Sequence, residues 1–255
     1  VPIRTQESPV RLILTVLTVL LANIAYAGDI DTKVEAALAA EGRPESDIAR
    51  DRNRMPLQTL KFLGLQDDMR VLELLPGGGW YTRVLAPVLA DNGELYVALG
   101  TRRVRENILP LPGFDKVTVL DTSDNTRRPE GSRHYVMDEF EFGVEDLDMV
   151  LTFRNVHNFD AEGRMRMHRA SFDALKSGGA YGIVDHTQRH MEPDNSENRR
   201  RIDPVLVIKE AQAAGFEFVD YSDLHYRADD ELEYEVGRRS VSGNTDRFTF
   251  LFRKP

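Results

Sequence analysis

The sequence predicts an α/β protein whose mostly parallel sheet is covered by helices on both faces. Short runs that are almost wholly apolar alternate with stretches of helical periodicity, as they do when strands are buried on both sides of a parallel sheet. The tail is different, because its last two apolar segments, 216–221 and 247–252, are joined without a convincing helix. They predict an antiparallel pair at the sheet edge.

The composition is that of a folded protein with one sizeable core. The chain has 255 residues, of which 41% are hydrophobic and 29% are charged. Its 33 Lys and Arg against 42 Asp and Glu give a net charge of -9, which argues against a nucleic-acid partner. The absence of cysteine excludes disulfides, thiolate metal sites and cysteine nucleophiles.

The N-terminus has the pattern of a secretory signal peptide. Arg4 and Arg11 precede an apolar run at 12–25, and Ala25-Tyr26-Ala27 forms a small-x-small cleavage pattern. The run is shorter than the about 20 residues that a bilayer span needs. We therefore expect residues 1–27 to be removed after Ala27, leaving one periplasmic or secreted domain, 28–255, with no membrane span. An uncleaved anchor is the alternative.

The remaining elements follow in order along the chain. Lead-in helices are expected between 31 and 65, followed by a first strand at 71–75, a Pro-Gly-Gly-Gly turn and a helix from Trp80 that contains Pro87. Further helices are predicted at 162–175 and at 204–214, the second with Asp203 as its N-cap. Further strands are predicted at 95–99, 117–120, 149–153 and 181–184.

The glycine-rich turn after the first strand is a candidate ligand site. Glycines let the backbone N–H groups approach a ligand closely, and Glu73 in the strand can accept hydrogen bonds from a ligand's amine or hydroxyl groups. The alternative is a tight turn with no ligand. A nicotinamide cofactor is disfavoured, because Thr82 replaces the third glycine of the dinucleotide fingerprint and Leu99 stands where an acid should end the second strand.

The segment 71–82, VLELLPGGGWYT, resembles the first motif of class I S-adenosylmethionine-dependent methyltransferases, in an exported bacterial subgroup. Segment 148–158 is similar to the subgroup's fourth strand and exit loop, 177–186 to its fifth strand and 245–254 to its last strand. The resemblance covers about residues 45–255. It implies a Rossmann-like seven-stranded sheet with an antiparallel last strand, and S-adenosylmethionine as the cofactor.

The turn and the resemblance together predict the cofactor site. Two positions depart from the family motif, since Leu75 replaces its first glycine and Leu99-Gly100-Thr101 replaces its ribose-binding acid. Asp121 and Thr122 lie where the family contacts adenine, although they also fit a turn that ends a strand. The predicted cofactor-binding residues are Glu73, Pro76, Gly77, Gly78, Gly79, Tyr81, Thr82, Asp121, Thr122, Arg154 and Asn155.

Histidines follow the fourth and fifth predicted strands. His157 and His186 lie at the rim where open α/β sheets bind ligands, and the ordinary histidine pKa of about 6.5 suits a catalytic base. Asp185 can orient such a base, while Arg154 or Asn155 can hold a carboxylate or amide of the substrate. Alternatively, the histidines only cap strands, or they join Asp185 and His190 in a metal site.

The leading functional hypothesis is a methyltransferase that acts on an oxygen or nitrogen of a small molecule. Export would separate it from its cytoplasmic donor, so an inactive periplasmic binding module on the same fold is the alternative. A metal-dependent hydrolytic or redox enzyme is the third. Two further features stay open: Arg199–Arg201 is either a salt-bridged surface or a lid over an anionic acceptor, and Trp80 and Tyr81 either stack on ligand or pack on the lead-in helices.

Overall fold

The computed structural model describes residues 30–122 and 125–255, so the predicted signal peptide lies outside the described residues. Three helices lead in: α1 (30–38), α2 (Glu45–Arg54) and α3 (Pro56–Leu63). Proline occupies the first position of α3, where its missing N–H has no helical partner, and Gly64 ends the helix in the left-handed conformation. The predicted lead-in helices are thus present.

The described strands are β1 (Arg70–Leu74), β2 (Glu94–Ala98), β3 (Thr118–Val119), β4 (Thr126–Arg127), β5 (Val136–Met137), β6 (Leu147–Phe153), β7 (Leu175–His186), β8 (Glu217–Ser222) and β9 (Arg247–Arg253). β4 and β5 pair with each other, and the other seven form one sheet in the order β3-β2-β1-β6-β7-β9-β8. β9 is antiparallel to both of its neighbours, while the other described pairs of this sheet are parallel. This confirms the predicted fold class. The antiparallel pair is β8 and β9, but only β8 forms the edge, because β9 lies between β8 and β7.

Hydrophobic cores lie on both faces of the sheet. The helices after α3 are α4 (Thr82–Leu89), α5 (Arg102–Asn107), α6 (Ala161–Ala174) and α7 (Pro204–Ala213). Val71 packs into the core beneath α1, α3, α4 and α5, whereas its neighbour Leu72 packs into the core beneath α6 and α7. Met149 and Val150 of β6 divide in the same way. Alternate residues of a strand face opposite sides, so burial on both sides requires the continuous apolar runs seen in the sequence.

Aspartate side chains cap the N-termini of α6 and α7, the two helices that cover the sheet face opposite to α4. Asp160 accepts a hydrogen bond from the Gly163 amide at the start of α6, and Asp203 accepts one from the Val205 amide at the start of α7. The predicted Asp203 cap is therefore present. None of the helices in the described ranges combines the length and the apolar character that a membrane crossing needs.

Three neighbouring strands end in the same unusual backbone conformation. Leu75 after β1, Leu99 after β2 and Arg154 after β6 have φ values of 52°, 62° and 64°. A non-glycine residue in this region costs about 1–2 kcal/mol, and such strain is concentrated at functional sites. The chain turns sharply at each position, and a cleft lies over the carboxyl ends of β1 and β6.

Candidate active site

Two cavities share the cleft above the strand ends. The larger has a volume of about 470 Å³ and the smaller about 140 Å³. Arg50, Arg54 and Arg154 line both, so the cavities are contiguous. The larger cavity also contacts His157 and His186, whereas the smaller one contacts the glycine-rich turn. Its volume places the larger cavity within the range of sites for small molecules.

The three glycines of the turn have different surroundings. A Cβ added at Gly78 would have no protein atom within 4 Å, and one at Gly77 would meet only the Leu75 carbonyl at 4.0 Å. These two glycines leave open space beside the smaller cavity. Gly79 does not line it, since a Cβ there would lie 2.8 Å from Cγ1 of Ile108 in the segment after α5. Gly79 is required by packing, and Gly77 and Gly78 form the open part of the turn.

Glu73 lines the smaller cavity as a buried carboxyl group. Thr82 donates its hydroxyl proton to Oε2 of Glu73 over 2.6 Å. Burial raises the pKa of Glu73 to about 7, against the opposing effects of that hydrogen bond and of the Arg54 charge. A ligand ammonium group beside Glu73 would favour its ionised form, which makes this position suitable for a cationic amine.

The structure gathers most, but not all, of the predicted cofactor residues. Thr82 lies behind Glu73 instead of in the cavity. Thr122 accepts a hydrogen bond from the Leu99 amide over 2.9 Å, so its hydroxyl ties together the segments after β2 and β3. Asp121 is exposed and, like Thr122 and Gly79, lines neither cavity. Those that line the smaller cavity are Glu73, Pro76, Gly77, Gly78, Tyr81, Arg154 and Asn155.

The aromatic pair after the turn packs against the protein. The Tyr81 ring stacks on Phe153 at the end of β6, with 3.5 Å between ring centroids. Trp80 donates its indole N–H to the Asp47 carbonyl of α2 over 3.0 Å, and the Arg54 guanidinium lies 4.3 Å from its ring centroid. Packing on a lead-in helix is the alternative that the geometry favours for Trp80, although both side chains also border the smaller cavity.

His157 and Asp185 form a buried pair at the ends of β6 and β7. Nδ1 of His157 lies 2.6 Å from Oδ1 of Asp185, and the His157 amide donates to Oδ2 of the same carboxylate. Because the carboxylate accepts, Nδ1 carries the proton and Nε2 is the basic nitrogen. His157 lines the larger cavity, so this pair can accept a proton from a bound molecule.

His186 has a different environment. Its Nδ1 lies 2.8 Å from the Thr245 hydroxyl, and its ring centroid is 5.7 Å from that of His157. Burial lowers the pKa of His186 well below its ordinary value, and the nearby His157 and Arg154 lower it further. It is therefore neutral at physiological pH and a much weaker base than an ordinary histidine. Of the two predicted histidines, only His157 pairs with Asp185 through its side chain.

The metal alternative lacks a ligand set in this geometry. His190 pairs with Asp203, its Nδ1 2.8 Å from Oδ2, and does not join the other three residues. Within 30–122 and 125–255, no three histidine, aspartate or glutamate side chains are arranged to hold a metal ion.

The arginine tract is salt-bridged at two of its three positions. Arg201 is buried against Asp230, and Arg200 pairs with Glu235. Arg200 also lines the larger cavity, so this one residue of the tract reaches the site. The salt-bridged alternative therefore describes Arg200 and Arg201.

Several residues of the cleft carry no local sequence signal. Arg54 comes from the C-terminal end of α2, and Arg247 is the first residue of β9, yet both line the larger cavity. Neither belongs to a motif whose spacing implies a ligand. The sequence offers one indirect signal, which is composition. In a chain with a net negative charge, these arginines lie next to segments that end at the strand tips.

The comparisons with known proteins identify the fold. No family model and no curated protein matches the sequence. A methyltransferase from Aquifex aeolicus described as SAM-dependent superposes with a TM-score of 0.54 at 15% identity, over 80% of this chain and 92% of the other. The glycopeptide N-methyltransferase MtfA complexed with sinefungin superposes with a TM-score of 0.51 at 13% identity, over 80% and 94%. The fold is that of S-adenosylmethionine-dependent methyltransferases.

One structural neighbour is named for another reaction. The [4+2]-cyclase SpnF superposes with a TM-score of 0.52 at 16% identity, over 89% of this chain and 93% of the other. The methyltransferase-type fold of this chain therefore does not by itself determine the reaction, which must be argued from the site.

Proposed function

We propose that this protein is an S-adenosylmethionine-dependent methyltransferase that methylates an oxygen or nitrogen of a small-molecule acceptor. The observation that carries the proposal is that His157, paired with Asp185, lines a cavity contiguous with the open glycine turn. Methyl transfer needs these two features together, because a donor and an acceptor must be held side by side with a base near the acceptor.

The residues around the smaller cavity fit the donor. Glu73 would accept hydrogen bonds from its ammonium group, and Gly77 and Gly78 leave space for it beside the backbone. Asn155 is held by two backbone carbonyls, those of Leu75 and Phe153, so its position is fixed next to the turn. When bound, S-adenosylmethionine supplies a methyl group on a positively charged sulfur.

The chain's own contribution to the chemistry is alignment and proton removal. Nε2 of His157 takes the proton from the acceptor's hydroxyl or amine, which makes that atom a better nucleophile. Asp185 stabilises the imidazolium that forms, since its carboxylate already accepts from Nδ1. Such a base contributes about 10²–10⁴-fold to a rate, and alignment of the reactants contributes the larger share.

We also propose that the protein is an exported bacterial member of this group. The charged, apolar and small-residue pattern of residues 1–27 supports export. N-terminal sequencing of the exported protein should begin at Gly28. A start within the apolar run, or retention of the whole segment, contradicts cleavage after Ala27.

Calorimetry with S-adenosylmethionine and S-adenosylhomocysteine tests donor binding. The purified chain should bind both with micromolar affinity, and Gly78→Val should weaken binding at least about tenfold, a loss of about 1.4 kcal/mol. The new side chain meets no protein atom within 4 Å at its Cβ, so it fills the ligand's space without straining the turn. Arg52→Gln, an exposed change on α2, is the control and should bind normally. Absence of binding, or equal binding by Gly78→Val, contradicts the proposal.

A binding module on the same fold is the second candidate. Leu75 favours it, because this residue lines the smaller cavity at the position where the family motif has glycine. The experiment is transfer of a labelled methyl group from S-adenosylmethionine into a mixture of small-molecule metabolites. A methyltransferase produces labelled product that His157→Ala loses. Donor binding without any labelled product supports the binding module.

A further inference from the structure

Arginines surround the larger cavity. Arg50, Arg54, Arg154, Arg200 and Arg247 all line it, and no aspartate or glutamate is among its lining residues. Within the described residues only Arg200 of these five has a carboxylate partner, that of Glu235. The chain as a whole carries a net charge of -9, so this concentration of positive charge is local and opposite in sign to the rest of the molecule. An arrangement of this kind attracts an anion into the cavity.

The inner arginines lack the partners that buried charges normally have. Arg54 and Arg247 are only 4% and 6% exposed, and neither forms an ion pair with any described residue. The Arg54 guanidinium lies over the Trp80 and Tyr81 rings. Among the described residues, the Arg247 side chain donates to two backbone carbonyls, those of Asn53 and Thr245, and to no carboxylate. Partly buried Arg154 likewise has no ion pair within the described ranges.

The burial of these unpaired guanidinium groups changes their pKa values. Burial and, to a smaller extent, the charge of Arg154 lower the pKa of Arg54 to about 9 and that of Arg247 to about 10. Uncompensated buried charges destabilise a folded protein unless a ligand neutralises them. A bound anion would neutralise the charges of the three guanidinium groups, and this is a physical reason for them to bind one.

The same cavity contains the base. His157 and His186 line it together with the arginines, so an anion held there lies in the same cavity as the His157 side of the His157–Asp185 pair. Guanidinium groups bind phosphate and carboxylate through paired hydrogen bonds, which orients the bound molecule as well as attracting it. A volume of about 470 Å³ suits a small molecule.

We propose that the acceptor is a small polyanion whose phosphate or carboxylate groups bind Arg54, Arg154 and Arg247 while its hydroxyl or amine faces His157. The role of this molecule as acceptor rests on the proposed function, whereas anion binding does not. Its negative charge would also offset the repulsion between the arginines and a cationic donor in the contiguous cavity. Binding of the two molecules should then be mutually favourable.

Calorimetry with pyrophosphate and with citrate, on the full chain, tests the anion site. One or both should bind, and Arg247→Gln and Arg154→Gln should each weaken binding at least about tenfold, because each removes one charged partner. Arg50→Gln, at an exposed position on the same cavity, is a third variant that avoids the risk of misfolding. Arg52→Gln on the same helix lines neither cavity and is the matched control. Preference for pyrophosphate indicates a phosphorylated acceptor, and preference for citrate a polycarboxylate.

A second variant separates this proposal from the proposed function. Gly78→Val should weaken S-adenosylhomocysteine and leave polyanion binding intact, since Gly78 lines only the smaller cavity. Polyanion binding without any donor binding supports the anion site and contradicts the methyltransferase. Donor binding with no affinity for either anion, or with equal affinity in the arginine variants and Arg52→Gln, overturns the polyanion proposal and leaves the methyltransferase standing.

Discussion

Two buried carboxyl groups lie near the ends of the central strands, and their surroundings differ. Asp185 receives three hydrogen bonds, from Nδ1 and the amide of His157 and from the amide of His186. Glu73 receives one from a side chain, that of Thr82. Hydrogen bonds to a carboxylate stabilise its charge, and burial without them does the opposite. Asp185 is therefore suited to stabilise an imidazolium, and Glu73 is suited to bind a cationic ligand.

Glu73→Gln should remove a specific pH dependence of stability. The folded-state pKa of Glu73 is raised to about 7, so its contribution is fully present below the unfolded pKa and is lost as pH rises through about 7. Relative to Glu73→Gln, the wild-type protein should lose about 2 kcal/mol of unfolding free energy between pH 5 and pH 8. Urea unfolding of both proteins at several pH values measures this. A difference that stays constant with pH contradicts the raised pKa.

Asp185→Asn tests the His157–Asp185 pair. The amide of the variant cannot stabilise an imidazolium as a carboxylate does. With a methyl acceptor as substrate, kcat should therefore fall about 10²–10⁴-fold. Affinity for S-adenosylhomocysteine should stay unchanged, because Asp185 lines neither cavity. Thr245→Val is the companion variant, since it removes the partner of His186 and leaves this pair intact. Equal losses of kcat and of donor affinity in Asp185→Asn would mean that the residue is structural.

For the helices and strands, the prediction from the sequence is correct where local signals and burial indicate the same element. The observed α6 and α7 match the predicted segments within one residue at each end, because caps and helical periodicity define both. The two-residue strands β4 and β5 were not predicted, since Thr126–Arg127 and Val136–Met137 form no apolar run. Their pairing depends on a contact with each other that a local pattern does not encode.

The strand-ending left-handed residues lead to an element-level prediction. In Leu75→Gly, relief of a strained φ of 52° partly offsets the loss of a partly buried side chain, so the unfolding free energy should fall by only about 1 kcal/mol. Leu74→Gly, at a fully buried position inside β1, should cost about 4 kcal/mol. Thermal and urea unfolding compare them. Leu75→Gly should also bind S-adenosylhomocysteine at least as tightly as wild type, and loss of that binding would contradict the placement of Leu75 on the donor cavity.

At the scale of the whole molecule, buried neutral histidines join elements that are distant in sequence. His168 of α6 contacts the Tyr181 hydroxyl of β7 over 3.1 Å. His225 contacts the Thr249 hydroxyl of β9 over 2.6 Å and the Arg54 carbonyl of α2 over 3.0 Å. The second histidine thus fixes the end of α2, with its arginine, against the sheet.

These histidines should make the protein sensitive to acid. Burial lowers the pKa of His168 to about 3, so its contribution is full above the unfolded pKa of about 6.5 and is lost as pH falls. From pH 7 to pH 5 the loss should be about 2 kcal/mol for this residue. His168→Gln should therefore lose about 2 kcal/mol less than wild type over that range, measured by urea unfolding. His134→Gln, at a partly exposed position, is the control. An identical loss in wild type and His168→Gln contradicts the prediction.

The sequence by itself determined the fold class, the strand that leads to the glycine turn, and the placement of His157, Asp185 and His186 at one rim of the sheet. These follow from local periodicity and from the rule that parallel strands place their carboxyl ends at one edge of the sheet. Both can be applied to the amino-acid sequence alone. The tertiary structure decided which histidine pairs with the carboxylate and which charges surround the cleft. Arg54 and Arg247 approach each other although they are far apart in the sequence. Arg247 of β9 donates to the Asn53 carbonyl of α2, and His225 contacts the Arg54 carbonyl, and no short segment encodes these contacts.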